Sequence, residues 1–298
     1  MNRLLKMVRG IGLAILFSTL FVQQILAQDP LNGWQAKNEG TQGIVLASVT
    51  ESGEFTSLSF KNTSDKTVTA FAISFLHHQE DPNGLYFIDC FDAPQDCVTP
   101  GATLMKKFTT ASLNELPDHT VRIVAVLYAD GSSEGSWLAI QFITSGRLGE
   151  ILETARIRKV LDDLMPAQAS DQSSKSSKGL PTLDNNFVTS LEKSIGSPAQ
   201  SVGEVIQSIK GIRVPGASLD DLDVDNKNDV AAFCSGVNLT RTVALNEMKE
   251  LRRLPIASSG NAQVLTRPQY FIQLRRRYDA LATQHLSYTM QAHRRIIP

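Results

Sequence analysis

Residues 55–76, FTSLSFKNTSDKTVTAFAISFL, constrain the fold of this chain more than any other stretch. Thr69, Phe71, Ile73 and Phe75 alternate with Ala70, Ala72 and Ser74. That period of two places one apolar set on one face of a strand. Leu58 and Phe60 alternate in the same way before them, and residues 62–66 (NTSDK) carry turn chemistry between the two runs.

The pattern repeats through the first half. Strands are predicted over residues 44–49, 55–61, 67–76, 85–88, 103–109, 121–129 and 137–143. Residues 121–129 (VRIVAVLYA) are apolar almost throughout, which fits a central strand covered on both sides. In residues 137–143 Leu138, Ile140 and Phe142 fall on one face of the last strand. Pro100-Gly101 and Asp130-Gly131 mark turns. Short strands at this spacing, with no helical pattern between them, predict a β-sandwich of immunoglobulin type, with a small barrel as the competing closure.

Three motifs, LSFKNTSDKTVTAFAISF, the Pro100-Gly101 turn and VRIVAVLYADGSSEG, resemble the small immunoglobulin-like domains of secreted bacterial proteins. The resemblance covers residues 44–142. It implies adhesion, assembly or a spacer role and carries no catalytic residues. The Cys…Trp…Cys hallmark of antibody domains is absent.

From residue 144 the period changes. Leu148, Ile151, Leu152, Ala155, Val160, Leu161 and Leu164 recur at helical spacing before Pro166, predicting a helix over 146–165. Residues 166–182, rich in Ser and Lys, read as a flexible linker. Beyond it Phe187, Val188, Leu191 and Ile195 form one amphipathic stripe ending at Gly196. Ser197-Pro198-Ala199-Gln200 reads as the cap of a second helix carrying Val202, Val205, Ile206 and Ile209, and the two are expected to pair as a hairpin. A longer helix is predicted over 229–254 with a break near 236–238, and a last one from the Thr266–Gln269 cap to about residue 294. The predicted class is therefore an all-β immunoglobulin-like sandwich (28–145) followed by an α-helical region (183–298), α+β with the two kinds of element segregated.

Residues 1–27 have the layout of an export signal: Arg3, Lys6 and Arg9, then apolar residues 11–22, then Ala27 as the small residue before cleavage. The apolar run is shorter than the roughly 20 residues a membrane span needs. The expected location is secreted or periplasmic, with no transmembrane span after cleavage. Such a compartment favours a disulfide between Cys90 and Cys97, which lie in one loop. The formal net charge of −1 gives no bias toward nucleic acid.

The sharpest chemical motif is DLDVDNKND. Asp221, Asp223, Asp225 and Asp229 stand at relative positions 1, 3, 5 and 9, as in the calcium loops of EF-hand and dockerin-like modules, and Asn226 stands where a left-handed residue is needed. Relative position 12 is Ala232 rather than the bidentate Glu of an EF-hand, and a solvated acidic loop that favours the next helix N-terminus explains the same residues. His77-His78 with Glu80 and Asp81 has metal-ligand residue types, but neighbouring side chains at a strand end point to opposite faces. The last helix gathers Arg267, Arg275, Arg276, Arg277, Arg294 and Arg295 opposite an apolar stripe of Tyr270, Leu274, Tyr278 and Leu281; a basic amphipathic helix of this kind fits an anionic surface, and the preferred reading is a docked helix with a solvated charged face. Asn62-Thr63-Ser64 and Asn238-Leu239-Thr240 match the glycosylation sequon. The local signatures of zinc proteases, Ser hydrolases and phosphate-binding loops are missing. The reading is an exported, non-enzymatic binding or assembly protein with a protein or cell-surface partner. Its contact is expected through exposed strand edges or the helical region. The alternatives are a cell-envelope hydrolase and a calcium-dependent adhesion module.

Overall fold

The computed structural model describes residues 31–75, 84–91, 96–115, 119–164, 183–199, 201–256 and 265–292. The predicted export segment 1–27, the His77-His78 loop and the predicted linker 166–182 lie outside them. The described residues hold eight strands: β1 (Gln35–Asn38), β2 (Ile44–Ser52), β3 (Phe55–Asn62), β4 (Val68–Ser74), β5 (Leu85–Asp89), β6 (Thr103–Thr109), β7 (Thr120–Tyr128) and β8 (Ser133–Gly135). They also hold six helices: α1 (Thr110–Asn114), α2 (Trp137–Asp163), α3 (Asn185–Ile195), α4 (Val202–Ile209), α5 (Lys227–Arg253) and α6 (Arg267–Ala292). The fold is mixed α+β.

Two sheets face each other. One has the order β2-β3-β6; the other runs β1-β7-β4-β5, with β8 sharing the β7 edge beyond β1. Every pairing is antiparallel except β1 with β7. The alternation read from residues 55–76 is the reason the sheets stack. Leu58 and Phe60 of β3 meet Phe71 and Ile73 of β4 in one core, which Ile44, Leu46, Ile123 and Trp34 complete. The Phe60 and Phe71 rings tilt at 57° with centroids 5.1 Å apart. Asn62 organises the turn between β3 and β4. Its side chain donates to Lys66 O and Val98 O (2.7 Å each) and accepts from the Ser64 backbone N–H (2.9 Å).

Strand β4 is buried on both faces, and so is β7. The second face of β4 is Ala70 and Ala72, opposite Leu127 and Ala125 of β7, and this surface accepts Ala139 and Ile143 of α2. A bulge leaves Val124 unmatched between the Ala72–Ala125 and Ile73–Ile123 pairs, so Val124 joins Ala125 on the helix side.

Residues 137–143, predicted as the last strand, are the first turns of α2 instead. The alternation of Leu138, Ile140 and Phe142 is real, but what the fold buries is Ala139 and Ile143, four apart. The switch from strand to helix occurs at Gly135, with φ 94°, where a Cβ would lie 2.2 Å from Val124 O. Ser136 N–H then donates to that same carbonyl (2.7 Å) and α2 begins. Two short strands had no clear pattern in the sequence, β1 and β8; each is held by the β7 edge.

Helix α2 continues past the sheet into the helical layer. Leu148, Ile151 and Leu152 pack in a cluster with Val205, Ile209, Phe233 and Val237. Ile157 and Leu161 pack in a second with Val188, Leu191, Met248 and Phe271. Thus α3 and α4, expected as a hairpin, bury their stripes in different clusters. The cap of α4 is Ser201, which accepts from Glu204 N–H (3.3 Å), four residues after the expected one. The capping signal of α6 is present: Gln269 Oε1 accepts from Thr266 N–H at 2.9 Å. Helix α5 runs unbroken through 236–238. Gly236 is there for close approach, since a Cβ would sit 2.1 Å from Gly146 O of α2, and one at Gly149 would sit 2.2 Å from Phe233 O.

Candidate functional site

The acidic loop does not form a calcium-loop geometry. Asn226 has φ −88° and caps α5, accepting from Asn228 and Asp229 N–H, and the helix starts at Lys227. A calcium loop of this type needs irregular backbone through these positions. Asp221 closes a capping box with Ser218, accepting from its N–H at 2.7 Å. Asp223 accepts from Asp225 N–H at 3.1 Å, a local Asx turn. Asp229 lies in the first turn of α5, 3% exposed, with Oδ1 buried and without a hydrogen bond. Burial, then the Asp223 charge, push its carboxyl above the ordinary range. Among the described residues, no three His, Cys, Asp or Glu side chains gather as a metal would require.

One buried charged group lies between the helices. Glu153 of α2 is fully buried and accepts from two guanidiniums. Arg156 donates through Nε (2.9 Å) and Nη2 (2.6 Å), and Arg241 of α5 through Nε (3.0 Å) and Nη2 (3.2 Å). The remaining donors go to backbone at the ends of neighbouring helices. Arg156 reaches Ser194 O and Ile195 O, where α3 ends, and Arg241 reaches Ser197 O and the Ser208 hydroxyl of α4. The excess positive charge of this Arg–Glu–Arg group therefore rests on the negative C-terminal end of α3. Arg267 caps α5 in the same manner, donating to Arg252 O (2.7 Å) and Leu254 O (2.8 Å), and also to Leu183 O (3.0 Å).

A second polar group closes the β7–β8 turn. Glu134 accepts from Gln42 and Gly43 N–H (2.6 and 3.1 Å) and from the Tyr128 hydroxyl (2.8 Å). Burial pushes its carboxyl up, but these donors win and hold it below the usual value. Burial and the same carboxylate push Tyr128 well above the usual phenol range. Ser132 and Lys66 hold Asp130 far below the carboxylate range. Gly43 is fixed by this arrangement, because a Cβ there would fall on the Tyr128 hydroxyl.

The third group joins sheet to helix. Cys90 and Cys97 are disulfide-bonded, with Cα atoms 5.0 Å apart. Arg147 of α2 grips Asp89 with Nε and Nη2 (2.8 and 2.7 Å) and stacks over the Phe91 ring at 4.3 Å. These partners were not legible from spacing, since Asp89 and Arg147 lie 58 residues apart.

Helix α6 is docked. Phe271, Leu274 and Tyr278 are buried, while Arg275 pairs with Asp162 at 2.7 Å and Arg277 with Glu247. Burial and Glu247, to which its hydroxyl donates, leave Tyr270 pushed up to about 12. Both sequon asparagines are spent: Asn62 is buried in its turn, and Asn238 bonds Ala199 N–H (2.8 Å) and O (3.2 Å) from within α5. Cys234 is half-buried, and burial pushes its thiol up, away from the reactive thiolate. Among the described residues no helix is long and apolar enough to cross a membrane. No known family model matches the chain, and no curated protein or solved structure is similar to it.

Proposed function

We infer that this is an exported, non-enzymatic binding or assembly protein whose β unit is an immunoglobulin-like sandwich. The strand order from β2 onward supports the sandwich reading: β2-β3-β6 against β5-β4-β7-β8 follows the A-B-E and C′-C-F-G order of that fold, and the whole chain crosses between sheets after β1, β3, β5 and β6. Export is supported by residues 1–27 together with the Cys90–Cys97 bond, which persists in an oxidising compartment.

The observation that carries the binding reading is the contrast between the two outer faces of the sandwich. Helix α2 covers one. The other, on β2-β3-β6, exposes Met105 (56%) and Phe55 (47%) among Ser57, Ser59 and Lys107. The edges of that sheet are poor templates for strand addition. On β6, Lys106 shares the inward face of Leu58 and pairs with Asp96, and β2 is bulged between Leu46 and Ser48. The face, rather than an edge, is therefore the proposed contact for a protein partner at the cell surface. Glu153, Arg241, Arg267 and Arg147 are each committed to joining elements, which supports a non-catalytic role for these four.

The test is a photo-crosslinking residue at Met105 in the producing cell, compared with one at the exposed Arg276 of α6, alongside ester, peptide and glycoside substrates offered to the purified chain from residue 28. The expected result is a discrete adduct from position 105, none from 276, and no turnover. Turnover by the purified chain, or no adduct from 105, overturns the reading.

A further inference from the structure

The sheet edges differ in how well they are guarded. Lys106 lies on the inward side of β6, β2 is bulged, and β1 (QAKN) and β8 (SEG) carry no large apolar side chain. Strand β5 (LYFID) is the last strand of its sheet, holds residues that favour strands, and pairs with β4 without a register shift. Cys90 N–H donates to Thr69 O (2.9 Å), which sets the phase of that ladder. Tyr86 and Ile88 then turn their backbone groups toward β4, and Leu85, Phe87 and Asp89 turn theirs outward. No described residue bonds those outward groups. The side chains flanking the edge are aromatic. On the α2 side Phe87 stacks on Phe142, with centroids 4.7 Å apart and planes 6° apart. On the sandwich side Tyr86 meets Phe108 of β6 edge-on at 4.9 Å and is 42% exposed. Asp89, the one acid of the strand, is already neutralised by Arg147. A strand laid along β5 would cover apolar surface on both faces and meet a row of unpaired backbone groups.

We propose that this edge is a self-association site, where β5 pairs antiparallel with β5 of a second copy about a twofold axis through Phe87. The strand is its own complement in that register. Phe87 pairs with Phe87 of the second copy and Leu85 with Asp89 on either side, so every outward N–H meets an outward C=O. Tyr86 falls opposite Ile88, and no two like charges oppose each other. The Phe87–Phe142 stacks of the two copies come together on the helix side of the joined sheet. The contact lies on the other sheet from the outer face of β2-β3-β6, and the two readings stand or fall separately.

Sedimentation velocity of the chain from residue 28 reads the assembly, and single substitutions in a Cys234→Ser background read the register. The parent is expected to sediment as a dimer at about 0.1 mM, where an interface of micromolar Kd is saturated. Leu85→Pro removes an outward N–H at the first residue of an edge strand, where proline is tolerated. It is expected to sediment as a monomer with unchanged far-ultraviolet circular dichroism. Under mild oxidation Phe87→Cys is expected to give a disulfide-linked dimer, because the axis sets position 87 against itself with Cα atoms roughly 5.5 Å apart. Tyr86→Cys, at a more exposed position, stands opposite residue 88 and is expected to stay unlinked. The cross-linking pair decides the matter if Leu85→Pro fails to fold. The proposal is overturned by a monomeric parent, by a dimer that survives Leu85→Pro, or by Tyr86→Cys cross-linking as readily as Phe87→Cys.

Discussion

Three side chains show how burial decides what a residue is worth. Glu153 neutralises two guanidiniums whose other partners among the described residues are backbone carbonyls and one hydroxyl. Glu153→Gln keeps the shape and removes the charge, and breaking a buried pair in this way costs about 3–5 kcal/mol. Urea denaturation of the variant should show that loss. Two glycines give opposite signs. A Cβ at Gly236 collides with Gly146 O, so Gly236→Ala should cost about 1–3 kcal/mol by overpacking the α2–α5 contact. A Cβ at Gly203 meets nothing within 4 Å, so Gly203→Ala should add about 0.5 kcal/mol by restricting the unfolded chain. Asp229 carries a pH signature. Its folded carboxyl lies above the unfolded value near 3.8, so the native chain holds the proton more tightly. That stability is complete below the unfolded value and is lost as pH rises through the raised one. Asp229→Asn should therefore melt at a higher temperature than the parent at pH 7, with the difference vanishing on acidification to pH 3.

At the scale of elements, α2 organises the molecule. It lies on alanines of β4 and β7, then crosses α5 backbone to backbone, then supports α3 and α6. Ala72→Leu puts a larger side chain under Ala139 and Ile143 and should cost about 1–3 kcal/mol in thermal or urea unfolding. The strands with a buried, alternating face were legible in the sequence: residues 103–109 match β6, and 55–61 and 121–129 match β3 and β7 to within one residue. Residues 137–143 misled because Leu138, Ile140 and Phe142 alternate like a strand, and only the turn at Gly135 separates that run from β8. Gly236 misled for a related reason, since a glycine that admits a neighbouring backbone reads in sequence like a helix breaker. The acidic loop was legible as a set of aspartates but not as a shape, because Asn226 serves as a helix cap rather than a left-handed residue. The Arg147–Asp89 and Glu153–Arg241 pairs, 58 and 88 residues apart, leave no mark on local pattern.

At the scale of the whole molecule, the β unit and the helices are one body. The contacts of α2 with the sheet and the insertion of Phe91 among the helices join them, and the open face of β2-β3-β6 is presented from that body. Cooperative unfolding tests this directly, because the two halves carry separate reporters. Trp34 is buried in the sandwich core and stacks on His119 at 4.8 Å, while Trp137 is 60% exposed at the start of α2. In a Trp137→Phe chain from residue 28, with the disulfide intact, Trp34 fluorescence follows the sandwich and the 222 nm circular dichroism follows the helices. The account predicts coincident urea transitions with one midpoint. A helical signal lost while Trp34 stays native, or the reverse, would show two independent bodies and contradict it.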